Sequence, residues 1–278
     1  MGKGGKGERE KGGTGERERG GLASPACHVM IGFARQPIDY KYSRMTTSNN
    51  PAEPWRPTTK NRLYDLVAPF DELLHKAVYW PKFNEWCRTK AAGVPVFPDR
   101  LAQYQYVIDR YGLGGPIDFL EFGVFRGESM RWWLAHNTNP ASRFIGFDTF
   151  TGLPESWVGL PPGTFSADGK LPEFNDSRAS LEIGLFQETL VGFLKRYPLE
   201  RRTAIHLDAD LYSATLFVLS TLMPHIKPGD VVLFDEIGSA YGVTHEFRAL
   251  CDIESSFGLR YRVLAGADRF VRAAIEIQ

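Results

Sequence analysis

Residues 117–129 read IDFLEFGVFRGES, an apolar strand that runs into a turn with glycines at positions 123 and 127. Gly123 can adopt a backbone angle that other residues resist, and it allows a ligand to approach the main chain closely. The free N–H groups of the helix that begins near Gly127 can bind a carboxylate or a phosphate. The stretch predicts a nucleotide-like cofactor at the first strand of a doubly wound sheet, with tight packing alone as the alternative.

The spacing of the glycines separates this turn from the G-x-G-x-x-G turn of dinucleotide-binding folds. An acidic residue, Glu121, stands two positions before Gly123, and Gly127 follows four positions after it. This pattern resembles motif I of the class I methyltransferases, which use S-adenosylmethionine (SAM).

The composition limits the classes of partner. The chain has 278 residues, and its 33 Lys and Arg balance 33 Asp and Glu, so no broad electrostatic surface for nucleic acid is expected. Three scattered cysteines favour neither a disulfide framework nor a metal motif, and no apolar run approaches the ~18 residues of a membrane span. We expect a cytoplasmic protein that acts on a small molecule without nucleic acid or membrane, and a homo-oligomer is compatible with the sequence.

The chain divides into three predicted parts. Residues 1–30 are mostly glycine and charged residues, which predicts a disordered tail. Residues 31–112 predict a linker and a helical cap, because the apolar spacing over 61–90 and 98–111 suits amphipathic helices. Residues 113–278 form the predicted α/β domain.

Apolar strands alternate with helices from residue 117 onward, which predicts a Rossmann-like, mostly parallel, seven-stranded sheet with right-handed crossovers. The segments 260–264 and 270–277 are joined by a short turn, which predicts one antiparallel strand. The other predicted strands are 117–122, 143–148, 203–208, 230–235 and one before residue 184; the predicted helices are 127–137, 186–196, 212–223 and 243–253.

Asp148 ends the second predicted strand, and Phe150 follows it. An acid at this tip can accept hydrogen bonds from both ribose hydroxyls, and an aromatic ring can lie on a base or ribose face. The alternative for Asp148 is a cap on the next turn. Gly184 and Phe186 are expected near the base of the cofactor, with a plain glycine turn and helix start as the alternative.

Four acidic residues follow the next two predicted strands: Asp208, Asp210, Asp235 and Glu236. Ligands of an open α/β sheet bind beyond the carboxyl ends of its strands, so these side chains should converge on one crevice. The repulsion between them requires a cation or a shared proton. Oxygen ligands favour Mg²⁺ or Ca²⁺, with Mn²⁺ also possible, and helix capping by one acid at each tip is the alternative.

Two histidines and a long loop lie near these tips. His206, inside a strand, is expected to be buried with its hydrogen bonds satisfied. His245 is expected on a helix surface, with substrate binding as the alternative. The segment 154–177, which carries Trp157 and Phe165, predicts either a lid or a packed loop.

Four motifs together resemble the macrocin O-methyltransferase (TylF-type) family: EFGVFRG at 121–127, FDTFTGLPE at 147–155, LDADLY at 207–212 and FDE at 234–236. The resemblance covers roughly residues 117–254 and implies a SAM- and Mg²⁺-dependent enzyme that methylates sugar hydroxyls on natural products. The predicted cofactor-binding residues are Glu121, which is expected near the ammonium of SAM, and Gly123, Phe125, Gly127, Ser129, Asp148, Phe150, Gly184 and Phe186.

The same resemblance places the metal ligands on Asp208, Asp235 and Glu236, although the family usually has Asp at the last position. A metal there would bind the acceptor hydroxyl and lower its pKa. Asp208 or Asp210 would then take the proton as the general base. Ser213 stands where the family usually has an acidic residue.

Other functions remain compatible with a sheet of this kind. One is an NAD-dependent oxidoreductase, which the missing dinucleotide fingerprint disfavours. Another is a metal-independent methyltransferase acting on nitrogen or carbon, or a SAM-binding module without turnover.

Overall fold

The computed structural model describes residues 70–278. The predicted tail, and the predicted linker and helix up to residue 69, lie outside this range. The described helices are α1 (Asp71–Thr89), α2 (Arg100–Tyr111), α3 (Glu128–His136), α4 (Phe186–Arg196), α5 (Tyr212–Leu222) and α6 (Glu246–Phe257). The strands are β1 (Val96–Phe97), β2 (Ile117–Phe122), β3 (Arg143–Asp148), β4 (Ala179–Ile183), β5 (Arg202–Leu207), β6 (Val231–Phe234), β7 (Tyr261–Ala267) and β8 (Arg272–Ile277).

The strands form one sheet in the order β1-β7-β8-β6-β5-β2-β3-β4. Every described pairing is parallel except those of β8, which runs antiparallel to both β6 and β7. This confirms the predicted mostly parallel α/β fold with one antiparallel strand. The sequence predicted seven strands; the eighth, β1, is two residues long and too short to show an apolar pattern.

The register brings the carboxyl ends of the four central strands into line. Phe122 of β2 lies opposite Phe147 of β3 and Leu207 of β5, and Leu207 lies opposite Phe234 of β6. The chain order reverses between β2 and β5, which is where ligands bind in sheets of this kind. The residues that follow these strands therefore surround one crevice.

The core lies on both faces of the sheet, because successive side chains of a strand point to opposite faces. All six residues of β2 are buried, as expected for a central parallel strand covered by helices. Phe119 packs with Trp133 and Phe144 on one face, and Phe122 stacks on Phe147 on the other. The backbone of the crevice therefore rests on a packed support.

Helix α1 belongs to this core. Its buried Phe83 and Trp86 pack against Phe247 of α6, with ring centroids 5.1 and 6.0 Å apart. The predicted helix 243–253 begins later, at Glu246, because a short 3₁₀ turn at Gly242–Thr244 precedes it. No helix among residues 70–278 has both the length and the apolar character needed to cross a bilayer.

Candidate functional site

A cavity of about 360 Å³ opens at the carboxyl ends of the central strands. Its walls combine the glycine turn after β2, the loop after β3, the start of α4 and the segment after β5. The lining residues are Gly123, Phe125, Asp148, Thr149, Gly152, Leu153, Pro154, Phe165, Leu185, Phe186, Gln187, Asp208, Ala209, Asp210, Leu211, Ser213, Ala214 and Glu236.

Gly123 forms the floor of this cavity at the end of β2. Its φ of +93° lies in the left-handed region, and a Cβ atom placed on it would stand 1.8 Å from the carbonyl oxygen of Asp208. Its N–H donates a hydrogen bond to the Phe147 carbonyl at 3.0 Å. Only glycine fits here because the Asp208 backbone fills the space of a side chain, so the tight-packing alternative is present and the predicted approach of a ligand stays a prediction.

Asp148 holds the glycine turn in shape. Its Oδ2 accepts hydrogen bonds from the N–H groups of Val124 and Phe125 at 2.8 and 2.7 Å, and its Oδ1 accepts one from Phe150 at 2.7 Å. Asp148 thus caps the next turn, which was the alternative to ribose binding. Asp148 also lines the cavity, so ribose binding stays a prediction.

Several predicted cofactor ligands lie away from the cavity lining. Phe150 is 1 % exposed and packs with Val124 and Ala167, which corrects the expectation that its ring lies on the cofactor. Gly127 caps α3 with a φ of +74°, so its role is to start the helix. Phe125, in contrast, is 38 % exposed and lines the cavity.

Glu121 and Ser129 are buried in a polar network beneath the crevice. The Ser129 hydroxyl donates to Glu121, and His206 Nδ1 lies 3.0 Å from the same carboxylate. His206 Nε2 lies 2.8 Å from the Tyr104 hydroxyl, so this histidine is buried and satisfied, as expected. The structure therefore gives Glu121 a different set of partners from the predicted SAM ammonium.

The protonation of His206 follows from its carboxylate neighbours. Burial alone would lower the pKa of its imidazole, but interactions with Asp235 and Glu121 raise it to about 10. The imidazolium then donates from both nitrogens, to Glu121 and to Tyr104.

Three of the four acids predicted to converge, Asp208, Asp210 and Glu236, line the cavity, whereas Asp235 is outside its lining. Burial and the charge of Asp235 hold the pKa of Asp208 well above its usual value. Burial and the charge of Glu236 raise the pKa of Asp210 to about 7. Burial and the charge of Asp235 also raise the pKa of Glu236. Asp210 can therefore hold or exchange a proton near neutral pH.

The predicted metal ligands do not fit a common ion. Asp235 is 6 % exposed, and both of its carboxylate oxygens bind the guanidinium of Arg272, at 2.9 and 3.2 Å. Among residues 70–278, no three acidic, His or Cys side chains are arranged to hold an ion. The predicted set of Asp208, Asp235 and Glu236 is therefore corrected: Asp235 already has a cationic partner from another strand.

The start of α4 supplies a further wall of the cavity. Phe186 lines it, as predicted, and its ring packs edge-on against Phe122 at 5.3 Å. Gly184 donates its N–H to the Asp148 carbonyl at 3.0 Å and so fixes the turn before α4. Sequence reasoning missed Leu185 and Gln187, whose positions beside Phe186 were the available signal.

The segment after β3 covers one side of the cavity. Leu153, Pro154 and Phe165 line it, while Trp157 is buried and packs edge-on against Tyr241 and His245, at 5.7 and 6.2 Å. The packed-loop alternative is therefore present at Trp157.

His245 lies at the start of α6 rather than on an open helix surface. Its Nδ1 accepts a hydrogen bond from the Tyr212 N–H at 3.0 Å. Burial, together with the charge of Arg248, lowers the pKa of His245. The imidazole therefore fixes the start of α5 in its neutral form.

A family model described as a methyltransferase domain matches residues 120–237, which contain the glycine turn and all the acidic strand ends. Residues 120–237 are similar to the methyltransferase domain of that model. The match confirms the predicted class, whereas the assignment to the TylF-type family stays a prediction.

The chain is similar to a curated protein of Streptomyces olivaceus, 8-demethyl-8-(2,3-dimethoxy-alpha-L-rhamnosyl)-tetracenomycin-C 4'-O-methyltransferase. The two are 31 % identical over 175 residues, which cover 54 % of this chain and 65 % of that protein. The chain thus spans less than two thirds of the length of that relative.

Two solved structures are similar to the chain. The calicheamicin methyltransferase CalS11 has 26 % identity and a TM-score of 0.47 over 63 % of this chain and 76 % of that one. The O-methyltransferase NovP has 19 % identity and a TM-score of 0.47 over 64 % and 78 % of the respective chains.

Proposed function

We propose that this protein is a SAM-dependent O-methyltransferase that acts on a hydroxyl group of a small molecule, and that the acceptor is a sugar on a natural product. The methyltransferase domain supports the reaction class. The curated relative, whose name specifies a 4'-O-methyltransferase of a rhamnosylated tetracenomycin, supports the acceptor class.

One observation carries the proposal: a single cavity joins the glycine turn to the carboxylates. Gly123 and Phe125 line it on one side, and Asp208, Asp210 and Glu236 line it on the other. A donor seated on the turn and an acceptor seated on the acids would share this space. Bringing two reactants together in this way can lower a barrier by up to about 7–11 kcal/mol.

The residues present fit the cofactor, because the glycine turn, the Asp148 carboxylate and the Phe186 ring line one cavity of about 360 Å³. Bound SAM would supply an electrophilic methyl sulfonium. Gly123, Phe125, Asp148 and Phe186 would hold it, since all four line the cavity.

Asp210 is the proposed general base for the acceptor hydroxyl. The Asp210 residue lines the cavity. Its backbone lies in the left-handed region, at a φ of +57°, so it is not part of the regular helix α5. A pKa of about 7 also suits a group that takes up a proton near neutral pH. Asp208, whose pKa is held well above its usual value by burial and by the charge of Asp235, would hold its proton and donate a hydrogen bond to the acceptor oxygen.

The decisive experiment combines SAM binding with turnover. Isothermal titration calorimetry should show one SAM site, and release of S-adenosylhomocysteine should be measured with a rhamnosylated phenol and with the free phenol. Asp210→Asn should reduce kcat by about 100- to 10,000-fold, the usual contribution of a general base, while SAM binding persists.

Asp168→Asn is the matched control. Asp168 also has a left-handed backbone, at a φ of +55°, but it is exposed and outside the cavity lining. The kcat of the Asp168→Asn variant should therefore equal that of the unaltered protein. Tight NADH binding without SAM binding would favour an oxidoreductase. SAM binding without turnover on any hydroxyl would favour a binding module or a methyltransferase for nitrogen or carbon.

A further inference from the structure

Asp235 lies at the end of β6 and is almost completely buried, with 6 % exposure. Arg272 makes a bidentate pair with Asp235, called the Arg272 fork: Nε donates to Oδ1 at 2.9 Å, and Nη2 donates to Oδ2 at 3.2 Å. A second guanidinium, that of Arg100, lies 3.7 Å from Oδ1. Because a two-point Arg–carboxylate pair fixes orientation as well as charge, Asp235 is held in one position by resident cations.

The turn before β8 holds Arg272 in place. Asp268, Arg269 and Phe270 all have left-handed backbones, with φ values of 49°, 60° and 68°. Three such residues in a row without glycine are unfavourable and persist only where the surroundings impose them. These three residues stand two to four positions before Arg272, the first residue of β8.

Two contacts show how the surroundings impose this turn. The Phe270 ring fills the space above Gly266, where an added Cβ would stand 2.6 Å from it, and packs edge-on against Trp86 at 6.1 Å. Asp268 binds Arg272 through Nη1, which leaves the other side of the guanidinium for Asp235. The Arg272 guanidinium is therefore held by Asp268 on one side and by Asp235 on the other.

We propose that Arg272 is the resident cation of the acidic crevice, that it positions Asp235, and that methyl transfer consequently requires no added divalent cation. The inference rests on the proposed function. An ion that used Asp235 as a ligand would compete with the half-buried Arg272 guanidinium for both carboxylate oxygens.

The first test needs no substitution and no turnover. Mn²⁺ is titrated into the full-length protein with SAM present, and electron paramagnetic resonance measures the free ion. The expected result is no stoichiometric binding up to millimolar Mn²⁺. Bound Mn²⁺ at one equivalent per chain in the unaltered protein would overturn the proposal.

The second test uses substitutions. Arg272→Met should lower kcat by about 100-fold, the scale of loss when a positioned group is misplaced, and should leave KM for SAM nearly unchanged. The same variant should acquire Mn²⁺ binding, because Asp235 then lacks its fork. Arg272→Lys, which keeps the charge and loses the two-point geometry, should be intermediate in both measurements.

Arg262→Met is the matched control, because Arg262 lies on the neighbouring strand β7, is exposed and pairs with Glu276. It should match the unaltered protein in kcat and in Mn²⁺ response. Turnover that a chelator abolishes in the unaltered protein, or an Arg272→Met variant with unaltered kcat, would overturn the proposal. Failure to bind SAM would instead refute the proposed function, while the Mn²⁺ titration still decides the role of Arg272.

Discussion

At the scale of single residues, the site depends on positions that accept only one type of residue. Gly123 was predictable, because glycine at the end of an apolar strand and before a helix is a recognisable pattern. The position of the Asp208 carbonyl, where a Gly123 side chain would lie, was not predictable, because it depends on the pairing of strands distant in the chain. The Asp235–Arg272 pair escaped prediction for the same reason, and that is why a metal was expected instead.

Gly123→Ala should abolish SAM binding and lower the free energy of unfolding by more than about 1 kcal/mol, since the added methyl clashes with the backbone at a left-handed φ. Calorimetry with SAM and urea denaturation measure the two effects. Gly169→Ala is the control: its φ is +70°, yet nothing lies within 4 Å of the added atom. Equal losses in both variants would show that backbone strain, and not the clash, is responsible.

At the scale of elements, long strands and helices were predicted nearly to the residue. β2 and β3 begin and end where the apolar runs do, because glycine, proline or acidic residues bound them. The two-residue β1 carries no periodic signal, and its pairing with β7 depends on tertiary contact. The predicted start of α6 was too early, because the residues before Glu246 form a 3₁₀ turn, whose sequence pattern is nearly that of an α-helix.

Helix α1 should contribute to the stability of the methyltransferase domain. Phe83→Ala should lower the free energy of unfolding by about 3–5 kcal/mol, because Phe83 is 4 % exposed and stacks on Trp86 at 5.6 Å. Urea denaturation followed by tryptophan fluorescence measures the change. Val78→Ala on the same helix should have little effect, since Val78 is 49 % exposed. A small loss for Phe83→Ala would mean that α1 is separable from the core.

At the scale of the whole molecule, ligand binding should increase the free energy of unfolding. Any ligand that binds only the folded chain stabilises it, by about 2.7 kcal/mol at a hundredfold excess over its Kd. SAM and S-adenosylhomocysteine should therefore raise the Tm in a concentration-dependent way, whereas NADH should not. Differential scanning calorimetry measures this shift, and the Gly123→Ala variant should show none. A Tm that responds to NADH and ignores SAM would contradict the proposed function.

The order of strands also constrains how the chain is made. β8 follows β7 in the chain but lies between β7 and β6 in the sheet. During translation, β6 has no partner on that side until residues 272–277 have left the ribosome. Because Arg272 begins β8, the acidic crevice is completed at the same moment as the sheet. A nascent chain that stalls before this point leaves β6 and β7 with unpaired edges, the kind of exposed strand that chaperones protect from aggregation.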